Sequence, residues 1–287
     1  MKLLADRKQG HRFLLLGSCQ ILSLQKVRET AAGRATLLKL WPLALVERSE
    51  GPSVPPPGLD LLWQEGEAAL AKLESLPIST DEMRRRRARA EDHRRWGGHP
   101  ALEPLPEDDR KVSLRDFRRT YLERDLADLG RVADLDQFAL AQNLRAVRTA
   151  QLLSYSEVAR ELGVAVNTDG DQAEGALFET AVLAELVRWR SWQADPPALH
   201  FYRTRAGREI DFVLHAGSRL LALEAKASER AHPTDARPLV DFLGTKRPGA
   251  AAAPGRLGLV VTRGREIERL AARVWAIPDW RLFGLAT

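Results

Sequence analysis

Residues 219–226 read RLLALEAK, a stretch apolar on both faces until it ends with Glu224 and Lys226. Its length, its turn-type flank at Ala216-Gly217 and the two-sided apolar pattern predict a strand buried within a sheet. Residues two apart on a strand share a face, so Glu224 and Lys226 point the same way. An unpartnered charge in a buried strand is heavily penalised. The pair therefore belongs at a solvated sheet edge or beside a compensating ion. Asp211 lies under the same constraint in the preceding apolar stretch, EIDFVL, and the turn at Ala216-Gly217 makes the two strands neighbours. In a suitable hairpin register Asp211 approaches Glu224. Two carboxylates at one site repel and hold protons more tightly unless a cation bridges them. Magnesium suits such a pair, because it takes oxygen ligands, typically one or two carboxylates plus water and substrate phosphate. The competing reading is a plain edge-strand ion pair between Lys226 and Glu224, with Glu179 on a solvated helix face.

The surrounding segments predict an α/β unit over 169–287. Helical spacing covers 172–190, strands cover 199–203, 209–215 and 219–226, a helix covers 235–243, LGLVVT forms a strand at 257–262, and a helix covers 265–275. Upstream, RFLLLG (12–17) and ATLLKLW (35–41, closed by Pro42) read as short strands within a first unit, 1–50. GPSVPPPG (51–58) is a stiff connection, since proline fixes its own dihedral and offers no N–H. It opens a segment, 51–110, in which 59–95 are helical and Gly97-Gly98 break the chain. A helical region, 111–168, follows: Ser113 is placed to cap a helix with Asp116 three residues on, and Leu114, Phe117, Tyr121 and Leu129 form an apolar stripe. A second helix is expected over 135–150. Residues 154–162 resemble the first helix of a helix-turn-helix, with Ser154 or Ser156 at its cap and Gly163 at its turn. The chain then runs VNTDGDQAEG, turn material where a recognition helix should start, so the motif is incomplete.

Composition narrows the setting. A chain of 287 residues with 44% apolar content can bury a sizeable core. Its one cysteine, Cys19, excludes an intramolecular disulfide and points to a reducing, cytoplasmic compartment. Only Phe13 to Leu16 are continuously apolar near the start, too short for an export segment, and no stretch is long enough to cross a membrane. A net charge of +5 and a pI near 9.6 allow a polyanionic partner. Much of that charge lies at Arg84 to Arg87, Arg89, Arg94 and Arg95. The run is either a phosphate-tracking patch or the solvated side of a packed helix, and the latter is the commoner origin of such runs.

Asp211 followed by Glu224-Ala225-Lys226, with Glu179 on the helix before, resembles the PD-(D/E)XK superfamily of restriction-endonuclease-like phosphodiesterases. The predicted element order matches as well. The resemblance implies that Asp211 and Glu224 hold Mg2+, that Lys226 orients the attacking water or offsets charge at the phosphate, and that Glu179 supports the metal shell. The implied chemistry is metal-assisted hydrolysis. Ile210 stands where the superfamily motif has proline. Three further stretches, RFLLLGSCQ with Ser18, TAAGRATLLKLWPLALVE with Arg34, and SLRDFRRTYLERDLADLG at 113–130, are similar to prokaryotic AAA-type ATPases that continue into a domain of unknown function with this nuclease-like end. Such ATPases carry a G-x-x-x-x-G-K-[ST] loop for the phosphates. No Gly-Lys pair occurs here, so neither bound ATP nor ATPase activity is expected, and Ser18 and Arg34 read as a strand end and a turn residue.

The expected fold is thus α/β: a partial ATPase sheet remnant, a helical middle region with an incomplete helix-turn-helix, and a C-terminal α-β-β-β-α-β restriction-endonuclease-like domain. The expected function is DNA association with Mg2+-dependent phosphodiester hydrolysis. The alternative is a non-catalytic binding or regulatory module left by truncation of an ATP-binding protein. Expected partners are DNA, no membrane, and a protein that covers the exposed sheet edges of residues 1–50.

Overall fold

The computed structural model describes residues 38–48, 57–120, 170–204, 207–244 and 255–284. Among them are seven α-helices: α1 (Gly58–Glu65), α2 (Ala68–Ser75), α3 (Thr80–Trp96), α4 (Glu107–Thr120), α5 (Gly170–Trp192), α6 (Arg237–Gly244) and α7 (Asp279–Leu282). Six strands, β1 (Ala198–Arg203), β2 (Glu209–Ala216), β3 (Arg219–Ala225), β4 (Arg256–Thr262), β5 (Glu268–Ala271) and β6 (Val274–Pro278), form one mixed, open sheet in the order β1-β2-β3-β4-β6-β5. Short 3-10 turns lie at Leu45–Arg48 and Pro100–Leu102.

The centre of the sheet follows from the apolar runs. β2 and β3 form an antiparallel hairpin turning at Gly217, whose φ of 58° is readily available only to glycine. β3 then runs parallel to β4, with α6 in the crossover, and β4 runs parallel to β6. Strands buried on both faces need cover on both, and two apolar clusters supply it. On one face Phe212, Leu214, Leu221 and Leu223 meet Phe178, Val182, Leu186 and Trp189 of α5. On the other, Ile210, Val213, Ala222 and Val260 meet Leu239 and Leu243 of α6.

The first cluster does not stop at the C-terminal segment. Leu59, Leu62 and Trp63 of α1, Leu70 and Leu73 of α2, Ala90 of α3 and Leu45 all belong to it. The stretch 59–95 is helical, as its spacing predicts, but divides into three helices at Gly66 and at 76–79. α3 opens with Ser79, whose side chain accepts a hydrogen bond from the Glu82 N–H at 3.1 Å. Six of its seven arginines are committed to carboxylates: Arg84 to Asp81, Arg85 and Arg86 to Glu82, Arg87 to Glu229, Arg94 to Glu91 and Asp279, Arg95 to Glu107. That is the pattern of an ion-paired helix surface rather than of an open phosphate track.

Three expectations are corrected. The helix expected over 265–275 is a β-hairpin, β5 and β6, with Arg273 in its turn at φ 61°. Its apolar residues fit a helical stripe, but Val274, Ala276 and Ile277 are drawn into the sheet by parallel pairing to β4. Residues 38–41, the described part of the strand expected at 35–41, are irregular backbone leading to the turn at Leu45. Ser113 caps nothing, because α4 begins six residues earlier at Glu107, after Pro106. No side chain of α4 is buried, and Phe117 is 59% exposed with the His99 ring 5.4 Å away. The strand expected at 12–17, Ser18, Arg34, and the helices expected at 135–150 and 154–162 lie outside the described residues.

Candidate functional site

The hairpin register sets up the site. Phe212 pairs with Leu223 and Val213 with Ala222, so one further step along the hairpin sets Asp211 against Glu224. On its other side β2 carries a bulge. His200 pairs with Val213 and Tyr202 with Ile210, which leaves Phe201 of β1 facing two residues, Asp211 and Phe212. Ile210 and Val213, three apart, consequently pack on the same α6 side, a parity that an unbroken strand could not give. A bulge bends the strand and re-aims a side chain. Here the Asp211 carboxylate accepts a hydrogen bond from the backbone N–H of Ala225 at 2.8 Å, bridging the ends of β2 and β3.

Glu224 is 5% exposed, and one of its oxygens, Oε2, accepts from Lys226 Nζ at 3.1 Å. The other, Oε1, is buried without a hydrogen-bond partner. Burial pushes the Glu224 carboxyl up, and the charge of Asp211 pushes it further, to about 7, against the attraction of Lys226. Burial likewise raises Asp211, opposed by the Ala225 N–H and by Lys226. Glu179, on α5, is raised to about 7 by burial and by the charge of Asp211. Burial alone would lower the Lys226 ammonium, but attraction from Glu224 and Asp211 outweighs it and holds the group above its ordinary value. Lys226 is 37% exposed, so the cluster opens to solvent along its side chain.

The four candidate residues thus share one electrostatic neighbourhood. Asp211, Glu224 and Lys226 sit at adjoining strand ends, and Glu179 feels all three from the helix above. Among the described residues no group of three or more His, Cys, Asp and Glu side chains is arranged to hold a metal ion. What is present is a carboxylate pair, Asp211 and Glu224, with one orphaned oxygen and raised proton affinity. That donor set fits a hard cation that keeps several waters, as Mg2+ does. Asp235 is a member that spacing did not reveal. Its charge acts on both Glu224 and Lys226, and its side chain accepts from the His232 N–H at 2.7 Å. The HPTD turn before α6 is the available signal, an acid capping a local turn.

A cavity of 210 Å³ lies elsewhere, between α3 and α5, and none of the four candidate residues lines it. Its polar groups largely satisfy one another, although His93 Nδ1 is buried without a hydrogen-bond partner. Glu185 accepts from Arg188 at 2.5 Å and from the Leu45 N–H at 3.1 Å and lies 2.8 Å from His93 Nε2, while Arg94 pairs with Asp279. These contacts fasten α3, α5, α7 and the Leu45 turn together. We assign them to packing.

Residues 174–282 match the family model of a domain of unknown function (DUF4143), and residues 87–191 match that of a second domain of unknown function (DUF8612). The two matches overlap on α5, and all four candidate residues fall within the first. No curated protein and no solved structure matches the chain. No helix among the described residues is long and apolar enough to cross a membrane.

Proposed function

We propose that the C-terminal α/β part is a DNA-associated, restriction-endonuclease-like module whose Glu179, Asp211, Glu224 and Lys226 carry Mg2+-dependent phosphodiester hydrolysis. The observation that supports this most is the Asp211–Glu224 pair. Two acids with raised proton affinity, Glu224 buried with an orphaned oxygen and Asp211 half-buried, are destabilising unless a cation joins them. A bound divalent ion would lower the pKa of a water and offset charge on the phosphate. Asp211 and Glu224 would hold it through their carboxylate oxygens. The Ala225 N–H fixes the Asp211 carboxylate in place, which leaves its other oxygen free to ligate. Lys226, tethered to Glu224 yet partly exposed, orients water and meets the phosphate. Glu179, holding its proton to about pH 7, exchanges protons with the outer waters.

A second reading is a non-catalytic binding module. It is favoured by the ion pair that Lys226 already makes with Glu224 and by the lack, among the described residues, of a third ligating side chain. Digestion of DNA in Mg2+ separates the two. Hydrolysis predicts cutting by the wild type, abolished by EDTA and in Asp211→Asn and Glu224→Gln, with Lys226→Met slower but still binding DNA. Equal inactivity of wild type and variants would leave the binding module.

A further inference from the structure

Glu224 lies on the face of the sheet that α6 covers. It stands two residues past Ala222 on β3 and pairs with Val260 of β4, and both of these belong to the apolar cluster beneath Leu239 and Leu243. The chain leaves the site at Lys226 and returns to the same face. Ala231 packs against that cluster and Ala236 is buried in it, which brings the start of α6 to the end of β3. Asp235, half-buried, immediately precedes Ala236. One of its oxygens, Oδ2, accepts from the His232 N–H at 2.7 Å and caps the local turn. Among the described residues the other oxygen accepts no hydrogen bond, and no cation pairs with the carboxylate. Its charge nevertheless reaches the site, where it raises the proton affinity of Glu224 and of Lys226. The turn thus accounts for one oxygen of Asp235 and not for the other, while Glu224 Oε1 is buried without a partner.

We propose that Asp235 is the outer acid of the cation site, accepting hydrogen bonds from water on a Mg2+ held by Asp211 and Glu224. The inference rests on the phosphodiesterase reading and deepens it. Direct ligation is set aside, because among the described residues no three acids are arranged to hold an ion. Mg2+ sheds its waters reluctantly and keeps several of them beside one or two carboxylates. Those waters can only donate, so an acid with a spare oxygen on the same face orients them and adds negative charge to the site. Asp235 is in this sense a positioning residue and takes no part in the chemistry.

The test titrates the full chain with Mg2+ by calorimetry at pH 7.5 and melts it in EDTA, as wild type, Asp235→Asn and Asp241→Asn. Asparagine keeps a side-chain oxygen for the His232 N–H and removes only the charge, so Asp235→Asn melts with the wild type in EDTA. Its Mg2+ affinity falls about tenfold, the usual effect of losing a hydrogen-bond partner just outside the ligands. Asp241, exposed on α6 and paired with Arg208 at 2.7 Å, controls for net charge, and Asp241→Asn binds Mg2+ as the wild type does. In cleavage Asp235→Asn needs about ten times more Mg2+ for its half-maximal rate. Undiminished affinity in Asp235→Asn, an equal loss in Asp241→Asn, or a lower melting temperature of Asp235→Asn in EDTA would overturn the outer acid. Mg2+-dependent cleavage by the wild type would in each of those cases uphold the phosphodiesterase. The expected loss of affinity in Asp235→Asn, with no cleavage by any form, would do the reverse. No binding of Mg2+ by the wild type would overturn both.

Discussion

At Glu224 burial and charge act together against ionisation, and the cation next to it only partly offsets them. A carboxyl whose folded pKa lies above its unfolded value binds its proton more tightly when folded. Its contribution to stability is present below the unfolded value and is lost as pH rises through the folded one. For Glu224 and Glu179 that window runs from the ordinary 4.5 to about 7. Without divalent ions the protein should therefore lose stability between about pH 4.5 and pH 7. Glu224→Gln should flatten that slope and melt higher than wild type at neutral pH, as followed by circular dichroism across a pH series. A wild-type melting temperature that rose through this window would contradict the assignment. The meeting of Asp211 with Glu224 could be read beforehand only as one register of the hairpin; it follows once the turn is Gly217-Ser218, from which residues 211 and 224 are equally far. The bulge that re-aims Asp211 and sets Phe201 opposite it could not be. It depends on the β1 register, to which EIDFVL gives no clue.

Between elements a close approach falls where α1 begins. A Cβ on Gly58 would stand 2.3 Å from the Arg281 carbonyl oxygen of α7 and 3.3 Å from that of Leu282. Both are backbone atoms and cannot swing aside. Gly58→Ala should cost about 1–3 kcal/mol in urea denaturation, as overpacking does. A gain of about 0.5–1 kcal/mol, the effect of Gly→Ala at an unstrained site, would show that the contact is looser than described. The elements that spacing misplaced share one physical cause. REIERLAARVWAI carries apolar residues at helical intervals, yet Val274, Trp275 and Ile277 are also good strand formers, and the partner that decides between the periods, β4, is remote from any local window. Ser113 has the residue type of a cap, but the acids Glu107 to Asp109 start the helix earlier, at an N-terminus they favour electrostatically. α3 could be anticipated through Ser79 and Glu82, because a capping side chain acts within one turn.

Across the described residues the sheet shares its core with α1, α2 and α3, so the Arg-rich segment that composition sets apart is part of what supports the strands. α5 joins the two halves. Its inner side chains pack on β2 and β3, Glu185 reaches His93 of α3, and both family matches run through it. The site stands where β2 begins and β3 ends, with Glu224 on the sheet face that Ala222 and Val260 share with α6. The chemistry proposed for it depends on one relation, that Asp211 and Glu224 form a joint site for a divalent cation beside Lys226. The most direct test is calorimetric titration of the full chain with Mg2+ at pH 7.5, repeated by thermal unfolding with and without the ion. We predict saturable binding and a raised melting temperature for the wild type, both lost in Asp211→Asn and in Glu224→Gln. A wild type that neither binds Mg2+ nor melts higher in its presence, or variants that bind it undiminished, would contradict the account.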